Sequence, residues 1–187
     1  MQNTCTQNVF SVNSNRMVVF KYPEIMINKR YRLEKRYYFA NALVRDEEID
    51  NNVDEWMKKR NCDLPLIYIS FGTVLSYRGD VLKKIFNALK LIECDVVIAR
   101  GVLEDKYILE LKSEWLVLSF APQIKILRHC NLLICHGGNN SITEAMNFGV
   151  PTLVFPFVSD QFFSAICVEE EGVGKVLDPN NCSEEDI

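Results

Sequence analysis

From Leu64 onward one unit repeats along the chain: an apolar run of four to six residues, a polar or glycine break, then a stretch with apolar residues at helical spacing. Leu66-Ile67-Tyr68-Ile69-Ser70-Phe71 opens the series and ends in Gly72-Thr73. Val81, Leu82, Ile85, Phe86 and Leu89 then share one helical face, with Lys83, Lys84, Asn87 and Lys90 opposite. Asp95 to Ala99 is the next run, and a helix follows it with Leu103, Tyr107, Ile108 and Leu111 inward. Leu116–Ser119, Leu132–Cys135, Thr152–Phe155 and Gly174–Leu177 continue the pattern, with Gln161–Glu171 as the last complete helix. Short apolar strands alternating with helices specify an α/β fold, a parallel sheet with helices on both faces. Ligands of such sheets bind beyond the carboxyl ends of the strands. Thr73, Arg100, Phe120, His136 and Asp160 each follow a strand-like run or its short extension, so the fold gathers them along one rim.

Chemistry concentrates between Phe120 and Gln161. The apolar run Leu132–Cys135 meets His136-Gly137-Gly138 and turns into a helix that opens with Asn139-Asn140-Ser141. The first turn of a helix carries N–H groups without intrahelical partners and the positive end of the macrodipole, so it suits phosphate oxygens. Glycines at 137 and 138 place no Cβ between a diphosphate and those amides. The same residues have a structural reading: Ser141-Ile142-Thr143-Glu144 fits a capping box, in which Glu144 folds back onto its own helix start. His136 also reads as a core histidine, Phe120 as core, Asp160-Gln161 as a polar helix start and Arg100 as a partner for a surface carboxylate. A rim that offers an aromatic ring, an amide, a helix N-terminus and a carboxylate suits a nucleotide bearing a sugar.

Composition narrows the partners. The 187 residues are 48% hydrophobic and 25% charged, enough for one good core and short for two full domains. With a formal net charge of -4 and no basic face interleaved with aromatics, nucleic acid is excluded as a partner. The basic cluster Lys29–Arg36 reads as a solvated surface. The seven cysteines contain no Cys-x-x-Cys pair, which argues against a disulfide framework and for a reducing, cytoplasmic-type compartment. His129-Cys130 and Cys135-His136 match no zinc spacing, so no metal site is expected. No apolar run reaches the length of a membrane span, and no membrane contact is expected of this segment.

Residues 1–60 are less regular. Met17–Phe20 and Tyr37–Ala40 are short strand candidates, and Val53, Trp56 and Met57 fall on one face of a short helix within a charged stretch. The segment reads as a connector, and residues 61–187 as the regular domain.

Phe120-Ala-Pro-Gln123, His136-Gly-Gly-x-Asn-Ser141, Glu144, Gly149-Val-Pro151 and Asp160-Gln161, together with Ile69-Ser-Phe-Gly-Thr73, resemble the donor-binding signature of the UDP-dependent glycosyltransferases. That superfamily includes UDP-glucuronosyltransferases, plant glucosyltransferases and macrolide glycosyltransferases. The resemblance covers about residues 64 to 180 and implies one Rossmann-like half of a GT-B fold. It implies that Phe120, at a position most often Trp, stacks on uracil with Gln123 against base and ribose. Glu144 would accept from the ribose hydroxyls. His136, Asn140, Ser141 and the Gly138 amide would hold the diphosphate, Thr73 would approach it, and Asp160 with Gln161 would bind the transferred sugar. The donor, a UDP-sugar, is a co-substrate, and no cofactor or metal is implied.

The family's catalytic His belongs to an N-terminal acceptor domain that nothing in residues 1–60 resembles, and His129 lies in the donor half. No catalytic residue is therefore expected here. Residues 1–60 would be the tail of that missing domain, and residues 61–187 would lack the closing helices, since Ser183-Glu184-Glu185-Asp186 reads as the start of another. The implied parent is an inverting hexosyltransferase acting on a small-molecule or lipid-like acceptor, with this chain inactive alone. A non-catalytic nucleotide-sugar-binding module, one subunit of a split enzyme and, with a poorer motif match, a UDP-N-acetylglucosamine epimerase are the alternatives.

Overall fold

The computed structural model describes residues 18–20, 23–26, 37–40, 42, 44, 47, 51–72, 78–108 and 110–187. In chain order these form β1 (Val18–Phe20), a 3-10 turn (Glu24–Met26), β2 (Tyr37–Phe39), α1 (Asn51–Lys59), β3 (Leu66–Ser70), α2 (Gly79–Lys90), β4 (Asp95–Ala99) and α3 (Asp105–Ile108). There follow β5 (Leu116–Leu118), α4 (Gln123–Leu127), β6 (Leu132–Cys135), α5 (Asn139–Asn147), β7 (Thr152–Val154), α6 (Asp160–Glu170) and β8 (Gly174–Val176).

The main sheet runs β5-β4-β3-β6-β7-β8, with every neighbouring pair parallel. Strand order reverses beside β3, whose partners are β4 on one side and β6 on the other. That is the topological switch point at which doubly wound sheets bind their ligands. Register brings Ser70 level with Ala99 and with Cys135, so the loops leaving β3, β4 and β6 start at one height.

Period-2 alternation divides the strands between two cores. Leu66, Tyr68, Val97, Leu133, Cys135 and Val154 pack with residues of α1, α4, α5 and α6. Ile67, Ile69, Val96, Ile98 and Ile134 pack on the other face against Val81, Leu82, Ile85, Phe86 and Leu89 of α2. The apolar face expected for α2 is thus the buried one.

Two elements differ from the sequence reading. The helix after β4 spans only 105–108: Arg100 donates to the Leu103 carbonyl (2.8 Å) and pairs with Asp105 (2.7 Å), which ties Leu103 into the turn that precedes it. The second is α1, which falls in the stretch read as a connector and packs its inner face into the core. Val53 is fully buried in the same core as β3 and β6, and Trp56 and Met57 pack beside it. Arg60 Nε meets Asp95 Oδ2 at 3.0 Å with both side chains largely enclosed, and Cys167 of α6 donates through Sγ to the Met26 carbonyl (3.0 Å). The short strands β1 and β2 pair with each other, apart from the main sheet.

Ser183-Glu184-Glu185-Asp186, read as a helix start, has a helix-start hydrogen-bond pattern. Ser183 N donates to Asp186 Oδ2 (2.8 Å), and Asp186 N to Ser183 Oγ (3.2 Å). Among the described residues six cysteines are free, no His/Cys/Asp/Glu group could hold a metal ion, and no helix is long and apolar enough to cross a membrane.

Candidate nucleotide-sugar site

Beyond the carboxyl ends of β3, β4, β5 and β6 lies a cleft of about 180 Å³. Phe120, Gln123, Asn140, Ser141 and Glu144 line it, as do Tyr68, Ser70 and Gly72 from β3 and its loop. Five of the ten expected site residues are therefore in one wall system, although they come from two separate stretches of chain. Thr73 lies outside the described residues.

Phe120 follows β5 and is 76% exposed, so it is not part of the core. A bare phenyl ring on a pocket rim loses little on leaving water and gains by stacking. Across the cleft Glu144 is 1% exposed, on the first turns of α5. Its Oε2 accepts from Gln123 Nε2 at 2.6 Å, a link between α4 and α5. This corrects the capping-box reading of residues 141–144. The helix begins earlier than that box requires, with Gly138 at the N-cap and no side chain capping it, so Ser141 is already helical and Glu144 is turned to Gln123. With Gly138 at the cap, the first intrahelical bond runs from Ile142 N to the Gly138 carbonyl (3.1 Å).

His136 is wedged between the loops leaving β3 and β6. A Cβ on Gly72 would lie 3.2 Å from its Cε1, and one on Gly138 only 2.6 Å from its Nε2. Alanine at 138 would therefore displace the imidazole. Gly137 has φ +87, and a Cβ there would meet Val154 Cγ1 at 2.8 Å, so the turn demands glycine twice over. Nδ1 of His136 is buried without a hydrogen-bond partner among the described residues. Burial pushes the imidazole pKa below its ordinary 6.5, against the smaller opposing effects of the Ser70 backbone and the Asp160 charge. A neutral, partly orphaned imidazole at a helix N-terminus is poised to gain a proton or a hydrogen bond when an anion arrives.

Asp160 and Gln161 lie outside the cleft, at the start of α6, in a turn with its own support. Gln161 Oε1 accepts from Phe157 N (2.9 Å) and Val158 N (3.1 Å), which commits both its lone pairs and leaves the amide N–H groups for any ligand. Ser159 takes φ 54, ψ -125, and Gln161 N bonds back to the Val158 carbonyl (3.2 Å). That is a type II′ turn with serine where glycine is usual. The turn leaves Asp160 exposed, yet near enough to His136 to act on its charge. Arg100, a weaker candidate for phosphate, is committed to Asp105 and the Leu103 carbonyl, as its surface-pair reading expected.

Tyr68 and Ser70 were not among the expected residues. Alternation puts both on one strand face beneath the cleft, where the Ser70 side chain lies near enough to the Tyr68 hydroxyl to act on its titration. Burial raises the Tyr68 pKa well above its ordinary value, so the phenol stays protonated. The signal available in sequence was a hydroxyl-bearing pair at i, i+2 near the end of an otherwise aliphatic run.

Comparison with known proteins supplies the lineage. The protein named as uncharacterized UDP-glucosyltransferase YojK of Bacillus subtilis (strain 168) is 30% identical over 152 residues, which cover 80% of this chain and 36% of that protein. Mogroside IIIx synthase of Siraitia grosvenorii is 30% identical over 184 residues, 89% of this chain and 39% of that one. The glycotransferase of kitacinnamycin shares the fold over 91% of this chain and 44% of its own, with a TM-score of 0.78 at 21% identity. The calicheamicin glycosyltransferase CalG4 does so over 90% and 42%, at a TM-score of 0.72 and 20% identity. The chain thus spans less than half the length of these proteins. The family model described as UDP-glucoronosyl and UDP-glucosyl transferase matches residues 18–187, nearly the whole sequence, and the chain belongs to that family of glycosyltransferases.

Proposed function

We propose that this chain is the donor-binding half of an inverting UDP-sugar-dependent glycosyltransferase that moves a hexose to an acceptor hydroxyl. The observation that carries the proposal is Glu144: a buried carboxylate held by Gln123 at 2.6 Å in the wall of a switch-point cleft, with the exposed ring of Phe120 in the same cleft. A buried carboxylate in a cleft wall recognises a diol, and an exposed ring beside it recognises a flat base. In this reading Phe120 stacks on uracil, Gln123 and Glu144 take the base-proximal ribose, and Ser141, Asn140, Gly138 and His136 meet the diphosphate. Asp160 with Gln161 meets the sugar hydroxyls, and the family resemblance gives Thr73 a phosphate role.

Catalysis would be positioning and charge stabilisation. An acceptor oxygen, deprotonated by a base on the acceptor side, forms a bond to the anomeric carbon as the bond to the UDP oxygen breaks, inverting that centre. The departing diphosphate gathers negative charge at the α5 N-terminus and the His136 imidazole, which stabilise it there. The acceptor pocket and the base would come from residues outside this segment. The dTDP complex of the glycosyltransferase VinC, similar to this chain at TM-score 0.58 and 25% identity, supports a nucleoside diphosphate as the ligand class.

Calorimetric titration with UDP, then UDP-glucose, tests the reading. Glu144→Ala should weaken UDP binding by about ten- to a hundredfold, the cost of a lost charge-assisted hydrogen-bond pair. A folded chain that binds neither ligand overturns it.

A further inference from the structure

The short helix α4 begins with Gln123, the residue that holds Glu144, yet its own N-cap is Pro122, which offers no side-chain hydrogen bond. An acceptor comes instead from far upstream. Glu47 Oε2 accepts from the backbone N–H of Lys125 at 3.1 Å, across 78 positions of sequence. The Lys125 ammonium pairs with Asp54 on α1, and Val53 beside it is buried in the core that holds Ala121, Ile126 and Leu127. On the other side, Trp56 Nε1 donates to the Glu114 carbonyl (3.0 Å), two residues before β5, the strand that leads to Phe120. Glu47, Asp54 and Trp56 therefore touch the chain on both sides of Phe120–Gln123.

We propose that Glu47 is a positioning residue for nucleotide binding: by capping α4 through the Lys125 N–H, it sets the start of that helix and so the Gln123 side chain that orients Glu144. This rests on the donor-site reading above. A five-residue helix with a proline cap has little stability of its own, so an acceptor supplied from elsewhere governs where its first residue sits. The Glu47 carboxylate also lies near enough to Tyr68, in the cleft wall, to act on its charge, while its hold on α4 runs through the Lys125 N–H.

The test uses the 187-residue chain with UDP as the probe. Glu47→Ala should weaken UDP binding by about fivefold, the typical worth of a lost cap. Glu47→Gln, which keeps an acceptor oxygen, should retain most of the affinity. In the Glu47→Ala background, Pro122→Asp supplies a local cap and should recover it, whereas a merely structural defect would not be repaired at that position. Unchanged affinity in Glu47→Ala, or a loss that Pro122→Asp leaves in place, overturns the proposal. Should the unaltered chain fail to bind UDP, the donor-site reading falls, and the Gln123 side-chain amide resonance decides the positional claim. That signal should move in Glu47→Ala and return in the double variant, and a signal that stays put overturns it.

Discussion

His136 is the residue whose setting says most about the site. Its imidazole lies between Gly72 and Gly138 because neither neighbour has a Cβ, and burial disfavours its charged form. The sign of the resulting pH dependence follows from linkage. The unfolded chain takes up the proton near the ordinary 6.5, before the folded one does, so falling pH favours unfolding. The His136 contribution is complete above that value and drains away as pH drops through the lowered folded pKa. Urea unfolding at pH 7.5 and pH 5.5 should show the unaltered protein losing more stability than His136→Gln over that interval. Equal losses would mean that the imidazole is not depressed. Sequence reading held both a core and a phosphate role for His136, and the structure shows a residue partly buried, with Nδ1 unpartnered, at a helix N-terminus.

Among the elements, the turn before α6 combines strain with support. Ser159 occupies a conformation that glycine adopts freely, at a cost of about 1–3 kcal/mol for a residue with a Cβ, and the Gln161 side chain holds the turn in place. Ser159→Gly relieves the strain but adds unfolded-state entropy, for a net gain of about 1 kcal/mol, read as a melting temperature higher by about 2–4 °C. A lower melting temperature would show that the serine side chain has a partner worth more than the strain. Sequence periodicity located this helix to within one residue at each end, because its inner face is continuous from Gln161 to Val168. It did not reveal the turn geometry, which depends on a hydrogen bond between a side chain and the backbone preceding it.

At the scale of the whole molecule, α6 is apolar on both sides. Ala165, Cys167 and Val168 face the core, while Phe162 and Ile166 remain 50% and 53% exposed, with Phe163 and Val158 close by. A helix apolar all round is ordinarily buried on all sides. The isolated chain should therefore self-associate, with light scattering giving a mass that rises with concentration. Phe162→Ser combined with Ile166→Ser should lower that mass toward one copy. A constant monomer mass for the unaltered chain would refute the expectation.

What the sequence determined by itself was the parallel α/β sheet and the rim that gathers its loops, since strand alternation, glycine breaks and helical faces are all local signals. The stretches that supply five of the candidate residues lining the cleft were legible too, through Phe120-Ala-Pro-Gln123 and the glycine pair before Asn139. Tertiary structure alone decided three matters. It turned Glu144 from its own helix to Gln123, because α5 starts at Asn139 after a Gly138 N-cap and leaves no box to close. It brought Tyr68 and Ser70 under the cleft through a pleat that becomes visible only once the strand is paired. And it drew α1 and Arg60 into the domain by burying Val53 and pairing Arg60 with Asp95, contacts between positions far apart in sequence that no local pattern encodes.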